Sequence, residues 1–110
     1  MIHAEVPYGT LDLMILKTLQ TRGPLHGFGL ARAIEEVSED IVHLNQGSIY
    51  PALLRLHHRG WITADWGTSE SNRRAKFYAL SALGRKHLGV EVRNWQRTTL
   101  LVERFLAMEA

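Results

Sequence analysis

Five cationic side chains, Arg55, Arg59, Arg73, Arg74 and Lys76, fall between Gln46 and Lys76, and only Asp65 and Glu70 offset them there. Guanidinium and ammonium groups gathered in this way bind phosphate, by paired N–H donors or as point charges. The net charge of +2 and pI near 9.3 are only mildly basic, so the placement of the charge carries the signal. Four acids, Glu35, Glu36, Glu39 and Asp40, stand just before this stretch and read as the solvated end of a helix. Other chemistries find less support. The six histidines (His3, His26, His43, His57, His58 and His87) include one adjacent pair, His57–His58. Neighbours on a helix project about 100° apart and do not readily share an ion. No carboxylate–histidine pair stands at a persuasive ligand spacing, so neither metal nor cofactor is expected. There is no cysteine, which excludes disulfides and thiolate metal sites and suits a reducing cytoplasm. No nucleophile elbow, phosphate-binding glycine loop or paired carboxylates in a pocket-like context occur, so an enzyme is not expected. No stretch is apolar for long enough to span a bilayer, and Met1–Gly9 lacks the basic-then-apolar order of a secretory signal.

The elements that must carry these cations follow from periodicity. With 110 residues, one domain is expected. Thr10 is placed to cap a first helix reaching about Thr21; Leu11, Leu13, Met14, Ile15, Leu16 and Leu19 cover most of its circumference, as in a buried helix. Gly23–Pro24 ends it. A second helix starts near His26–Gly27 and runs to about Val37, with Leu30, Ile34 and Val37 as its core face. A third follows Gly47, capped by Ser48, and ends at Gly60. Pro51 lies in its first turn, where a missing donor costs little. Ile49, Leu53 and Leu56 form its apolar face, and Ser48, Ala52, Arg55 and Arg59 the opposite one. Trp61–Trp66 and Ala75–Leu80 read as strands around a polar loop ending in Arg73–Arg74. Ser81 caps a last helix that runs close to Ala110. On it Leu88, Val92, Trp95, Thr99, Val102 and Leu106 repeat in heptad spacing, and Leu101, Phe105 and Met108 add a second strip. So long a helix needs a second copy to cover its seam, unless it folds back onto its own core.

Helix, helix, helix, hairpin, helix is the winged helix-turn-helix plan. The expected class is therefore mainly α with a small β-hairpin. Residues 1–80 form the winged domain and residues 81–110 a dimerisation helix. The major groove of B-DNA admits one helix, held from behind by an apolar face and presenting small or polar groups in front. On this reading Ser48 and Ala52 allow close approach, Arg55 reaches a base edge or a phosphate, and Arg59 neutralises the backbone. Gln46 and Tyr50 donate to phosphates, and the free N–H groups at Gly47–Ser48 offer a further phosphate site. Tyr50 lies between the two faces and could instead pack against the first helix. Asn72, Arg73, Arg74 and Lys76 on the wing reach flanking phosphates or the minor groove. Trp95 is either a plain residue of the dimer core or an aromatic wall for a planar effector in a gap left by the small Thr99. Two-fold symmetry implies a roughly palindromic duplex. A winged helix used for protein–protein contact is the alternative, disfavoured by Arg55 and Arg73–Arg74; a metal-responsive regulator is the third reading.

Several stretches together resemble the PadR family of bacterial winged-helix regulators. They are Leu11-Asp12-Leu13-Met14-Ile15-Leu16, Gly23-Pro24-Leu25-His26-Gly27-Phe28-Gly29, Gln46-Gly47-Ser48-Ile49-Tyr50-Pro51-Ala52-Leu53, Gly60-Trp61-Ile62, and Arg73-Arg74-Ala75-Lys76-Phe77-Tyr78 with Leu80 and Gly84. They cover most of residues 9–84, and the single long helix after the wing is similar to the shorter PadR architecture. The resemblance implies a homodimer formed by that helix and DNA contacts around Gln46, Ser48, Tyr50, Arg55, Arg73, Arg74 and Lys76. It implies repression as the usual mode, with release by small, often aromatic or hydrophobic compounds. Trp95 occupies the place of a tryptophan that can line the dimer interface in short members.

Overall fold

The structure, a computed structural model, describes residues 9–110 and, of Gln46, the backbone alone. Its elements in chain order are α1 (Thr10–Arg22), β1 (Leu25–His26), α2 (Gly27–Val37), α3 (Gln46–His58), β2 (Ile62–Thr68), β3 (Arg74–Leu80) and α4 (Ala82–Leu106). Thr10 is the first residue of α1; the cap position belongs to Gly9, at a φ of 87°. α1 is central: Ile15, Leu16 and Leu19 are buried, and the helix touches α2, α3, β3 and α4. Its C-terminus closes as expected, with the Gly23 N–H donating to the Leu19 carbonyl at 3.0 Å from a left-handed glycine, φ 80°.

β1 is an element the periodicity does not signal. Two residues are too few to alternate, yet Leu25 and His26 pair with Tyr78 and Phe77 and make the hairpin a three-stranded antiparallel sheet of order β1-β3-β2. His26 does a second job as the N-cap of α2: its Nδ1 accepts the Gly29 N–H at 2.9 Å. A Cβ at Gly29 would stand 3.2 Å from that ring, so glycine there leaves room for the capping imidazole. Leu30 and Ile34 are buried on α2 as expected, but Val37 is 70% exposed. It lies at the mouth of a cleft of about 340 Å³ shared with Leu13, Met14 and Val92. Glu35 is less solvated than expected: its carboxylate accepts the Leu44 N–H at 3.3 Å and lies 3.5 Å from His43, tying the α2–α3 loop to α2.

In β2 and β3 the register Ile62↔Leu80, Ala64↔Tyr78, Trp66↔Lys76 and Thr68↔Arg74 sets these residues on one sheet face. Near the base that face is core, where Ile62 and Tyr78 are buried. Towards the tip the same face runs past the core and presents Trp66, Lys76 and Arg74. The turn is closed by Ser69, whose N–H donates to the Arg73 carbonyl at 2.8 Å. Asn72 takes the left-handed conformation, φ 58°, which asparagine tolerates better than most residues.

α4 begins inside the domain. Ser81 caps it, its Oγ accepting the Gly84 N–H at 2.9 Å. Gly84 is pressed on the Trp61 carbonyl so closely that a Cβ would lie 1.8 Å from that oxygen. Leu88, expected on the seam between subunits, is 2% exposed within a single chain and belongs to its core, and Val92 packs partly against that core. The helical packing therefore does not break at residue 80. Beyond Val92 the helix leaves the domain: Trp95, Thr99, Val102 and Leu106 are all exposed, and the molecule extends to 58 × 35 × 21 Å.

Candidate nucleic-acid interface

α3 is held from behind by Ile49, Ala52, Leu53 and Leu56, all buried. Ala52, expected to face outward, is thus part of the helix's inner face, which is wider than the Ile49–Leu53–Leu56 line alone. The cap also lies earlier than expected. Asn45 is the N-cap, and its Oδ1 accepts the Ser48 N–H at 3.0 Å. That N–H is therefore already bonded, while the Ser48 side chain stays exposed.

Arg55 of α3 and Arg59 at its C-cap turn towards α1. Asp12, a buried carboxylate in the first turn of α1, accepts from Arg55 Nη2 at Oδ1 and from Arg55 Nε at Oδ2, the latter at 3.4 Å. Arg59 Nη1 lies 3.9 Å from the same carboxylate, and its guanidinium sits 5.2 Å over the Trp61 ring. Trp61 in turn stacks on His87 of α4, with centroids 4.5 Å apart. Arg55 and Arg59, expected to reach DNA from the outward face, are instead drawn to Asp12 of α1 in this geometry, with Arg59 also over Trp61, the residue before β2. The reason is Asp12: a carboxylate buried in the core calls for an opposite charge.

The outward stripe of α3 consists of Gly47, Tyr50, Pro51, Leu54, His57 and His58, all exposed. Spacing of three and four residues puts these on one side. Pro51, Leu54, His57 and His58 were not among the residues expected from sequence to contact DNA. Part of the signal that could have marked them lay in the complement of the Ile49–Leu53–Leu56 face; the side that Ala52 takes was not legible. Tyr50, 44% exposed, packs its ring over the first residue of α2: a Cβ on Gly27 would lie 3.3 Å from it. It therefore rests on α2, with its flank still open to solvent.

α3 and the wing share one surface. Tyr50, Pro51, Leu54 and His57 line a cleft of about 410 Å³ with Lys76 and Tyr78 of β3. A larger open groove, about 580 Å³, lies between the start of α2 and the wing and takes in Phe28, Trp66, Arg73, Arg74 and Lys76. Here Arg74 and Lys76 flank the exposed Trp66 ring, at 4.5 Å and 5.6 Å from its centroid. Burial raises the Tyr78 phenol above its ordinary 10.0, with nearby Tyr50 adding to the effect, so it stays a neutral hydroxyl at the floor of the groove. No carboxylate occurs from Gln46 to Ala64, and the combined face of α3 and the wing is suited to a polyanion. Among the described residues no cluster of three or more histidines, cysteines or carboxylates is placed to hold a metal ion; His3 lies outside them. Among them, too, no helix is long and apolar enough to cross a membrane.

Comparison with known proteins agrees with this architecture. Residues 15–90 match the Transcriptional regulator PadR-like family. A transcriptional regulator from Clostridium thermocellum has the same fold, with a TM-score of 0.82, 24% identity, and 93% of this chain and 98% of that one covered. A PadR family transcription regulator from Clostridium difficile is 26% identical over 90% of this chain and 100% of its own, with a TM-score of 0.76. An uncharacterized protein of Lysinibacillus sphaericus is 21% identical over 106 residues, 96% of each chain. With most of its length matched in sequence and nearly all of it in fold, the chain belongs to the PadR-like family of DNA-binding transcriptional regulators.

Proposed function

We propose that the chain works as a homodimeric repressor. Two copies join through α4 and set their α3 helices in successive major-groove segments of a roughly palindromic operator, with both wings on the flanking backbone. The observation that carries this reading is the apolar strip that α4 leaves uncovered beyond Val92. Trp95, Leu101, Val102, Phe105 and Leu106 are each about half exposed or more, and a strip of that size on a soluble chain calls for a partner surface. The cleft framed by Leu13, Met14, Val37 and Val92 continues the strip onto α1 and α2 and gives a second copy's α4 an apolar bed.

In this reading Gln46, Ser48 and Tyr50 meet the duplex from α3, and Asn72, Arg73, Arg74 and Lys76 meet it from the wing. Arg55 and Arg59 hold α3 at its angle through Asp12. A small hydrophobic or aromatic effector between the subunits, against Trp95, relieves repression. The half-exposed Trp95 beside a shallow hollow formed with Thr10, Leu13, Asn94 and Thr98 supports that placement.

The test is a titration of the pure protein against the DNA upstream of its own coding sequence and against a random duplex, at two salt concentrations. Specific binding is expected, with log K falling against log salt at a slope of roughly −5 if the three wing cations of each copy each meet a phosphate. Equal affinity for the two duplexes rejects the reading. For any planar aromatic compound that releases the wild type from its duplex, Trp95→Ala is expected to need about ten-fold more. A variant that dimerises normally and responds fully removes the effector role.

A further inference from the structure

Leu54 is 71% exposed and stands at the centre of the outward stripe of α3. It lies one turn on from Tyr50 and Pro51 and one turn before His57 and His58. Among the described residues, none covers this large aliphatic side chain. Leu53, its neighbour in sequence, is 1% exposed and fills the core, so Leu54 is not needed there. The surface around it is flanked by Lys76 across the cleft, and α3 itself carries no carboxylate. A polyanion is the occupant this charge distribution favours, ahead of an apolar protein surface.

Within a duplex, the apolar group that projects from a base edge into the major groove is the C5-methyl group of thymine. We propose that Leu54 is a specificity-determining residue that packs on a thymine methyl in each half-site. The inference rests on the reading of α3 as the helix that enters the groove. It adds to that reading a base class at one position, chosen by apolar contact with no hydrogen bond. Tyr50 and Pro51 on one side and His57 on the other exclude water from the contact, which gives the methyl its weight.

The test starts from a pool of randomised duplexes from which the purified full-length protein selects its own site. Each thymine in the selected duplex is then replaced in turn by uracil, which removes the methyl and keeps the pairing. The wild type is expected to lose about four-fold in affinity at one symmetric position per half-site, the factor that burying one methyl-sized group is worth. Leu54→Ala is expected to bind the parent duplex more weakly and to show no penalty for uracil at that position. Its unfolding midpoint should match the wild type, since the truncated group lies in solvent. A uracil scan that is the same for both proteins overturns the role of Leu54 and leaves the DNA-binding reading standing. If no duplex is enriched over the starting pool, the reading of α3 fails, and the inference fails with it.

Discussion

Asp12 anchors α3 without facing the candidate interface. Its buried carboxylate accepts from two nitrogens of Arg55 and draws in Arg59, so α3 is fixed to α1 by charge as well as by packing. Asp12→Ala leaves Arg55 without this partner, and about 2 kcal/mol of stability should be lost in chemical denaturation. That is less than for a fully buried pair, because the Arg55 side chain keeps some contact with water. DNA affinity should fall along with it. A variant as stable as the wild type would show that the pair does not hold the helix. Trp66 has the matching role on the wing. Its ring gathers Arg74 and Lys76 from an exposed strand, and two cation–π contacts at such sites are worth about 1–2 kcal/mol together. Trp66→Ala, with every charge retained, should weaken DNA binding roughly ten-fold in a fluorescence-anisotropy titration, and Trp66→Phe should recover most of the loss. Equal loss in both variants would assign Trp66 to the wing's folding alone. The cationic residue types were legible in the sequence, but their partners were not. Arg55 and Asp12 stand 43 positions apart, and no local periodicity brings them together.

Helix periodicity located all four helices to within a few residues, because each has an apolar face long enough to repeat. The errors fall where a face meets a neighbour. Ala52 is small enough to fit either side, and only the packing of α3 on the core decides that it is buried. β1 is too short to alternate; its pairing partner, β3, creates it. The heptad on α4 is continuous in sequence, yet the domain takes Leu88 and part of Val92 for itself and leaves the seam exposed from Trp95 onward. The junction that sets the direction of α4 is Gly84 against the Trp61 carbonyl. Gly84→Ala would drive a methyl into backbone that cannot step aside, and a loss of about 3 kcal/mol is expected from overpacking of this kind. Thermal unfolding reads it directly; an unchanged midpoint would mean that α4 can tilt freely on the domain.

At the scale of the whole molecule, the elongated shape has its own logic. A winged domain of this size buries a modest core, and α4 carries the remaining apolar surface away from it to where a second copy can cover it. Val102→Asp combined with Phe105→Asp places four carboxylates in the proposed seam of the dimer, two from each copy. It should yield monomers by light scattering, with each folded domain intact, since both residues are exposed in the single chain. Such monomers should bind a half-site weakly and lose the preference for a two-fold duplex. Retained dimers would move the interface elsewhere. In the proposed dimer, a ligand at Trp95 would act by altering the spacing of the two α3 helices, about 34 Å apart on one face of a duplex.

The most direct measurement is the stoichiometry of the complex on the selected duplex, by sedimentation equilibrium. Dimerisation through α4 predicts two chains, twice 12.5 kDa of protein, on each duplex, with no stable complex of one chain at the same protein concentration. A single chain bound at full affinity, its α4 strip still open to solvent, would contradict it.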